Sequence, residues 1–254
     1  RVAGVPSNDV ESHFGEPAIA FNDPSGLRFE LIATPRDSRR PWELISDDAA
    51  IRGIHSVQTT VRRAEPSVAF LVDVLGYAVV GTSGSRTRLA ANGDQPGHLI
   101  DVVEDNNAKT AVNGLGTVHH VAFAVDNLDI QTEVKGHLEG LGYTDVSDRK
   151  DRGYFESVYV RTPGGALFEA TVSKPEGFMI DEPYDRLGHD FQIPPVFASQ
   201  ADTTQQSGHD ARIAQIHRHI CERHRLQTVE RQLQHFQVGF EPGMAINFSA
   251  KLQR

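Results

Sequence analysis

Cysteine is almost absent from this 254-residue chain. With Cys221 alone, no disulfide can form within it, and a reducing compartment is the simplest setting. No apolar run approaches the length needed to cross a bilayer, and no charged-then-apolar leader opens the chain, so a soluble cytoplasmic protein is the expectation. Positive charge is also in short supply. Against 34 acidic residues stand 25 basic ones, a net charge of -9, which argues against nucleic acid or an anionic membrane as the main partner. The first residue is Arg1, set in mid-pattern and not a methionine, which suggests a fragment or a processed start.

What the chain does have is enough length for one large or two ordinary domains, and an internal repeat. The run from Ile54 to Val61 aligns with that from Val118 to Val125, Leu75-Gly76-Tyr77 with Leu141-Gly142-Tyr143, and Gly97 to Asp101 with Gly165 to Glu169, always in the same order. Apolar spacing predicts a helix through Val68, Leu71, Val72 and Leu75, and another through Ile130, Val134, Leu138 and Leu141. Each stops at a glycine, Gly76 or Gly142, as a left-handed C-terminal turn prefers. Three extended runs follow in the later unit, 144–146, 155–161 and 166–172, and less clearly in the earlier one, 78–80, 87–91 and 98–103. The fold class is therefore α+β, built from repeated βαβββ modules. Residues 1–35 parallel the back half of such a module, 36–50 read as a linker, 51–105 and 106–197 as the two units, and 198–254 as a polar tail allowing one helix.

The stretch from Gly116 to Val125 reads as a strand carrying two adjacent histidines. Alternation puts His119 on the bulky face with Val121, Phe123 and Val125, and His120 on the small face with Ala122 and Ala124. That leaves room beside His120 for something other than protein. Glu169, in the middle of an otherwise apolar strand, needs a partner. A histidine and a carboxylate on one small sheet match two ligands of a 2-His-1-carboxylate metal site; a satisfied core histidine is the bland alternative. His217, Cys221 and His224 have ligand-like helical spacing too, but they are only three residues in a weakly patterned tail, so a solvated helix is the favoured reading. Residues 104–107 read as a polar loop.

The βαβββ repeat, the run from Gly116 to Phe123, and Tyr154 to Tyr159 leading into Arg161 to Glu169 together resemble the vicinal oxygen chelate superfamily, which includes glyoxalases, and within it the hydroquinone-type ring-cleaving dioxygenases. The resemblance covers roughly residues 1–197. It implies an extradiol-type enzyme with Fe(II), or Mn(II) as the other candidate, a small aromatic substrate and dioxygen as partners, and assembly into a homo-oligomer as an open prospect. Carried over residue by residue, it puts His120 and Glu169 on metal positions. His119 falls on a neighbouring histidine able to move a proton, Tyr159 on a tyrosine lining the site, and Arg152 on an arginine near the substrate oxygens.

The family's remaining histidine ligand comes from a first module that this chain does not contain. Ser56 holds the place of His120 in the 51–105 unit, and His55 is expected to point to the helix side, because a one-residue step reverses the face. Asp101 and Glu30 hold the place of Glu169 in their modules and are expected to be structural residues of a degenerate second cup. Two other readings share the fold: a metal-free small-molecule-binding module, and a glyoxalase-like metal-dependent isomerase or lyase.

Overall fold

A computed structural model describes residues 6–39, 51–109, 114, 117–183 and 249–250. Three antiparallel strands come first: β1 (Asn8–His13), β2 (Glu16–Asn22) and β3 (Arg28–Ile32). A first βαβββ unit follows, with β4 (Ser56–Val61), α1 (Ala64–Asp73), β5 (Ala78–Ser83), β6 (Arg86–Ala90) and β7 (Leu99–Glu104). The second unit has β8 (Val121–Ala124), α2 (Leu128–Gly140), β9 (Lys150–Asp151), β10 (Phe155–Arg161) and β11 (Leu167–Ser173). A two-residue strand, β12 (Ser249–Ala250), completes the set.

Two sheets result. One runs β1-β2-β3-β12-β4-β7-β6-β5 and the other β8-β11-β10-β9. In both units the first strand lies parallel to the last, β4 along β7 and β8 along β11, while the remaining pairs are antiparallel. The registers also agree: Gln58 lies opposite Asp101 as Ala122 lies opposite Glu169. The repeat read from sequence is thus a repeat of hydrogen-bond ladders.

Both predicted helices form. α1 carries Pro66 in its first turn, where the missing N–H would have had no intrahelical partner, and the backbone N–H of Ala64 donates to the Glu104 carboxylate at 2.8 Å. The side-chain carbonyl of Asn127 caps α2 by accepting from the N–H groups of Asp129 and Ile130. Beyond α1, Gly76 adopts φ +69°, and Tyr77 N–H reaches back to Leu71 O at 3.0 Å, a helix stop that only a residue tolerant of positive φ makes at low cost.

Alternation along the strands then sorts the side chains. Ile100 and Val102 of β7, Val160 of β10 and Phe168 of β11 join Phe70, Leu71 and Leu138 from the helices in one core shared by both units. Phe70 of α1 meets Tyr143 and Phe168 of the second unit edge-on, at ring distances of 5.3 and 6.0 Å. The opposite strand faces carry Asp101 in one unit, and Ser157, Tyr159, Glu169 and Thr171 in the other.

Several expectations need correction. Residues 144–146 are not a strand; they lie in the turn and coil after Gly142, and the first hairpin strand is Lys150–Asp151. β8 starts at Val121, so both histidines precede the strand and escape its alternation. The same holds for His55, which precedes β4 and turns away from the predicted helix side, placing Nε2 3.2 Å from Glu16. The strand at 8–13 went unread, and most of the 36–50 linker and the cluster His217, Cys221 and His224 lie outside the described residues.

Candidate active site

The second sheet and the segments flanking its strands gather His119, His120, Arg152, Tyr159 and Glu169. Glu169 is 2% exposed and its Oε2 lies 2.9 Å from His120 Nε2, the imidazole being about a third exposed. The other carboxylate oxygen, Oε1, accepts from the Ser157 hydroxyl and, at 3.0 Å, from Thr171 Oγ1. Both donors follow from strand periodicity. Ser157 and Tyr159 alternate along β10, and Glu169 and Thr171 along β11, with Tyr159 the register partner of Glu169 and Ser157 that of Thr171.

Burial by itself would raise the Glu169 carboxyl. The hydrogen bonds from His120, Ser157 and Thr171 outweigh it and hold the group below the ordinary carboxylate range, so it is an anion at neutral pH. His120 Nε2–H is then the donor of that pair. Its other ring nitrogen stands 2.7 Å from His119 Nδ1, the two imidazoles meeting edge to face at 5.0 Å. Desolvation, followed by the electrostatic influence of neighbouring His120, lowers the pKa of His119, which favours a neutral ring able to carry a proton.

Tyr159 lies beside this pair, its ring 6.1 Å from that of His120. Arg152 Nε donates to the phenol oxygen at 3.2 Å, and its guanidinium sits 5.3 Å from the ring centroid. Burial raises the Tyr159 pKa against the opposing hydrogen bond from Arg152, so the phenol keeps its proton and remains a donor. Lys150, 5.9 Å from the same ring centroid, adds a second cation. Sequence reading missed Lys150, Ser157 and Thr171, although the alternation that singled out Glu169 also reaches the two hydroxyls.

The pair suits a divalent cation. A buried carboxylate with one oxygen held by neutral donors and the other turned to an imidazole nitrogen offers an O,N donor set of the kind hard and borderline metals take. Among the described residues no group of three or more His, Cys, Asp or Glu forms such a site.

In the first unit the matching positions are filled otherwise. Asp101, wholly buried, receives Arg88 through both oxygens at 2.8 and 2.9 Å and Arg86 Nη1 at 3.0 Å. Arg88 also reaches Glu16 at 2.6 Å, which in turn pairs with Arg36 at 2.9 Å and His55 at 3.2 Å. By register Arg88 takes the place of Tyr159, and Arg86 that of Ser157. Asp101 is an ion-paired residue of a buried cluster.

Residues 53–170 match the family model of the Glyoxalase/Bleomycin resistance protein/Dioxygenase superfamily. That stretch is a domain of this superfamily's kind. It is 38% identical over 212 residues to chlorohydroquinone/hydroquinone 1,2-dioxygenase of Sphingobium indicum, a match covering 81% of this chain and 65% of the relative. It is 31% identical over 196 residues to MhqO of Bacillus subtilis, a protein assigned as a ring-cleaving dioxygenase, covering 75% and 60% of the two chains. A crystal structure from Bacillus subtilis, of a protein assigned as a dioxygenase, superposes with a TM-score of 0.69 at 27% identity, over 81% of this chain and 65% of that one. The chain spans less than two thirds of the length of these relatives. The glyoxalase-like α+β architecture expected from the repeat is the one found, and no helix among the described residues is long and apolar enough to cross a membrane.

Proposed function

We propose that this chain carries the metal-binding half of an Fe(II)-dependent, extradiol-type ring-cleaving dioxygenase acting on a hydroquinone- or catechol-type aromatic. The observation that carries the reading is the convergence of Glu169 Oε2 and His120 Nε2, 2.9 Å apart, beside a protonated phenol and a guanidinium. Of the relatives named above, one is named for chlorohydroquinone and hydroquinone, and MhqO is assigned as ring-cleaving.

His120 and Glu169 would hold the metal through Nε2 and Oε2. When bound, the ion supplies positive charge and open coordination positions for substrate and dioxygen. Ser157 and Thr171 keep the second carboxylate oxygen occupied, which leaves Glu169 one oxygen with which to bind. Tyr159 accepts from Arg152 and so has its own O–H to offer a ring oxygen of the substrate, while the guanidinium stabilises negative charge developing there. His119, neutral and in contact with His120 Nδ1, is placed to take a proton from the site.

The test is anaerobic titration of the chain with Fe(II) and with Co(II), followed by oxygen uptake with hydroquinone and with catechol. Metal binding that is lost in both His120→Ala and Glu169→Gln, with oxygen consumption dependent on the ring substrate, is the expected result. Metal binding indifferent to both substitutions would sink the assignment. Binding of hydroquinone without metal or oxygen consumption would point instead to a small-molecule-binding module.

A further inference from the structure

A cleft of about 340 Å³ lies at the seam between the two units, walled by the segment after α1, the β6–β7 turn, the end of β8 and one side of α2. Phe123, which lines it, alternates along β8 with Ala122, the register partner of Glu169, so the cleft lies across the strand from that carboxylate. Leu75, Phe123, Ile130 and Val134 give it apolar walls, and its volume falls within the roughly 300–1,000 Å³ of small-molecule clefts.

A few polar groups interrupt those walls. Tyr77 is 6% exposed, and its ring meets Phe123 edge-on at 6.2 Å. Its hydroxyl has no hydrogen-bond partner among the described residues, although a phenol buried to this extent ordinarily finds one. Burial raises its pKa, so the group keeps its proton and is a donor. On the β6–β7 turn, His98 Nδ1 stands 3.0 Å from the carbonyl oxygen of Ala91. A carbonyl only accepts, so Nδ1 carries the proton and, in the neutral ring, Nε2 is left as an acceptor. The carboxylate of exposed Asp126, at the rim, disfavours an anionic occupant.

We propose that this cleft binds a neutral monocyclic phenol, with Tyr77 as donor and His98 Nε2 as acceptor for its hydroxyl. A hydroxyl both gives and takes a hydrogen bond, which matches a wall that offers one group of each kind. A hydrocarbon of the same size would leave the Tyr77 hydroxyl as it stands, and a benzoate would bring its charge to Asp126. An aromatic ring suits walls that present the Tyr77 and Phe123 rings, which favour edge-on and offset contacts. The site shares no residue with those assigned to metal binding, so it stands or falls independently of the proposed oxygenase chemistry.

Sealed equilibrium dialysis of the full chain against para-ethylphenol, para-ethyltoluene and para-ethylbenzoate, with a chelator present, tests the proposal. Saturable one-to-one binding is expected, tightest for the phenol and weakest for the benzoate. Tyr77→Phe keeps the ring and removes only the hydroxyl; it should weaken the phenol about ten-fold, the loss of one hydrogen bond, and leave para-ethyltoluene unchanged. Ile130→Trp, at an exposed position on the wall, should fill the cleft and abolish binding of both neutral rings while the thermal midpoint is kept. Phenol affinity that is unmoved in both variants, or lost in His120→Ala but kept in Tyr77→Phe, would overturn the assignment. So would no retention of the phenol, or benzoate or para-ethyltoluene held as tightly as the phenol.

Discussion

Replacing Arg88 by methionine keeps much of the side-chain volume while deleting the guanidinium at the centre of the first unit's ion cluster. Arg88 is 3% exposed as a side chain and makes three charge-assisted hydrogen bonds, two to Asp101 and one to Glu16, with Phe14 stacked 4.2 Å from its guanidinium carbon. Removing one partner from a buried pair costs roughly 3–5 kcal/mol, because the stranded charge stays desolvated. The cluster softens that blow. Asp101 retains Arg86, and Glu16 retains Arg36 and His55, so the lower end applies, about 3 kcal/mol. With a urea slope of about 2 kcal/mol/M, the midpoint should fall by about 1.5 M.

The pH dependence of that loss provides a second check. Hydrogen bonds from His55, Arg88 and Arg36 overcome burial and hold the Glu16 pKa far below the ordinary value of 4.5. A depressed carboxyl stabilises the fold above the unfolded value and loses that contribution as pH falls from 4.5 towards its folded pKa. Arg88→Met should therefore cost more at pH 7 than below pH 4.5. Equilibrium urea unfolding at both pH values, read by circular dichroism, measures this. A loss under about 1 kcal/mol at pH 7, or one that does not shrink in acid, would refute the reasoning that the cluster is desolvated and mutually paired.

Three further outcomes are expected. Gly164→Ala presses a methyl group against Val61 and Ser67 and should lower stability by roughly 1–3 kcal/mol in thermal unfolding, an overpacking cost. Gln131 is fully buried, donates to Glu156 O at 2.9 Å and Ala170 O at 2.8 Å, and accepts from Arg149; Gln131→Leu strands these groups and should cost roughly 2–3 kcal/mol in urea unfolding. Ser157→Ala leaves Glu169 Oε1 with Thr171 as its donor and should weaken Co(II) binding about ten-fold, with Ser157→Thr intermediate; unchanged affinity would mean that the hydroxyl does not position the carboxylate.

Much of the fold was legible because it is written twice. Matching apolar spacing and matching glycines at the helix ends located both helices, and the aligned Asp101 and Glu169 anticipated the shared register of β7 and β11. Strand β9 was not legible. It is two polar residues long and owes its pairing to β10, opposite Glu156 and Ser157, and not to any pattern of its own. Strand alternation correctly set Glu169 apart from Phe168, yet it misplaced His55 and His119, because each lies just before its strand, where the backbone no longer alternates. The ion cluster could not be read at all: Glu16 and Arg88 are 72 residues apart, and only the sheet brings them together.

The two units also explain why one carboxylate and not the other is the candidate ligand. Both hold an acid at the same register, buried to 2% exposure or less. Around Asp101 the neighbouring strand supplies Arg88 and Arg86, two fixed positive charges that neutralise the carboxylate from within the chain. Around Glu169 the matching positions supply Tyr159 and Ser157, and Thr171 adds a hydroxyl. These donors orient an anion without cancelling its charge, and His120 Nε2 stands against its other oxygen. A divalent cation arriving at the first sheet would have to displace a bidentate guanidinium. At the second it meets an oriented carboxylate with an oxygen turned to an imidazole that need only give up one proton. A guanidinium at one position of the strand, in place of a phenol, is what separates the ion-paired carboxylate of the first sheet from the candidate ligand of the second.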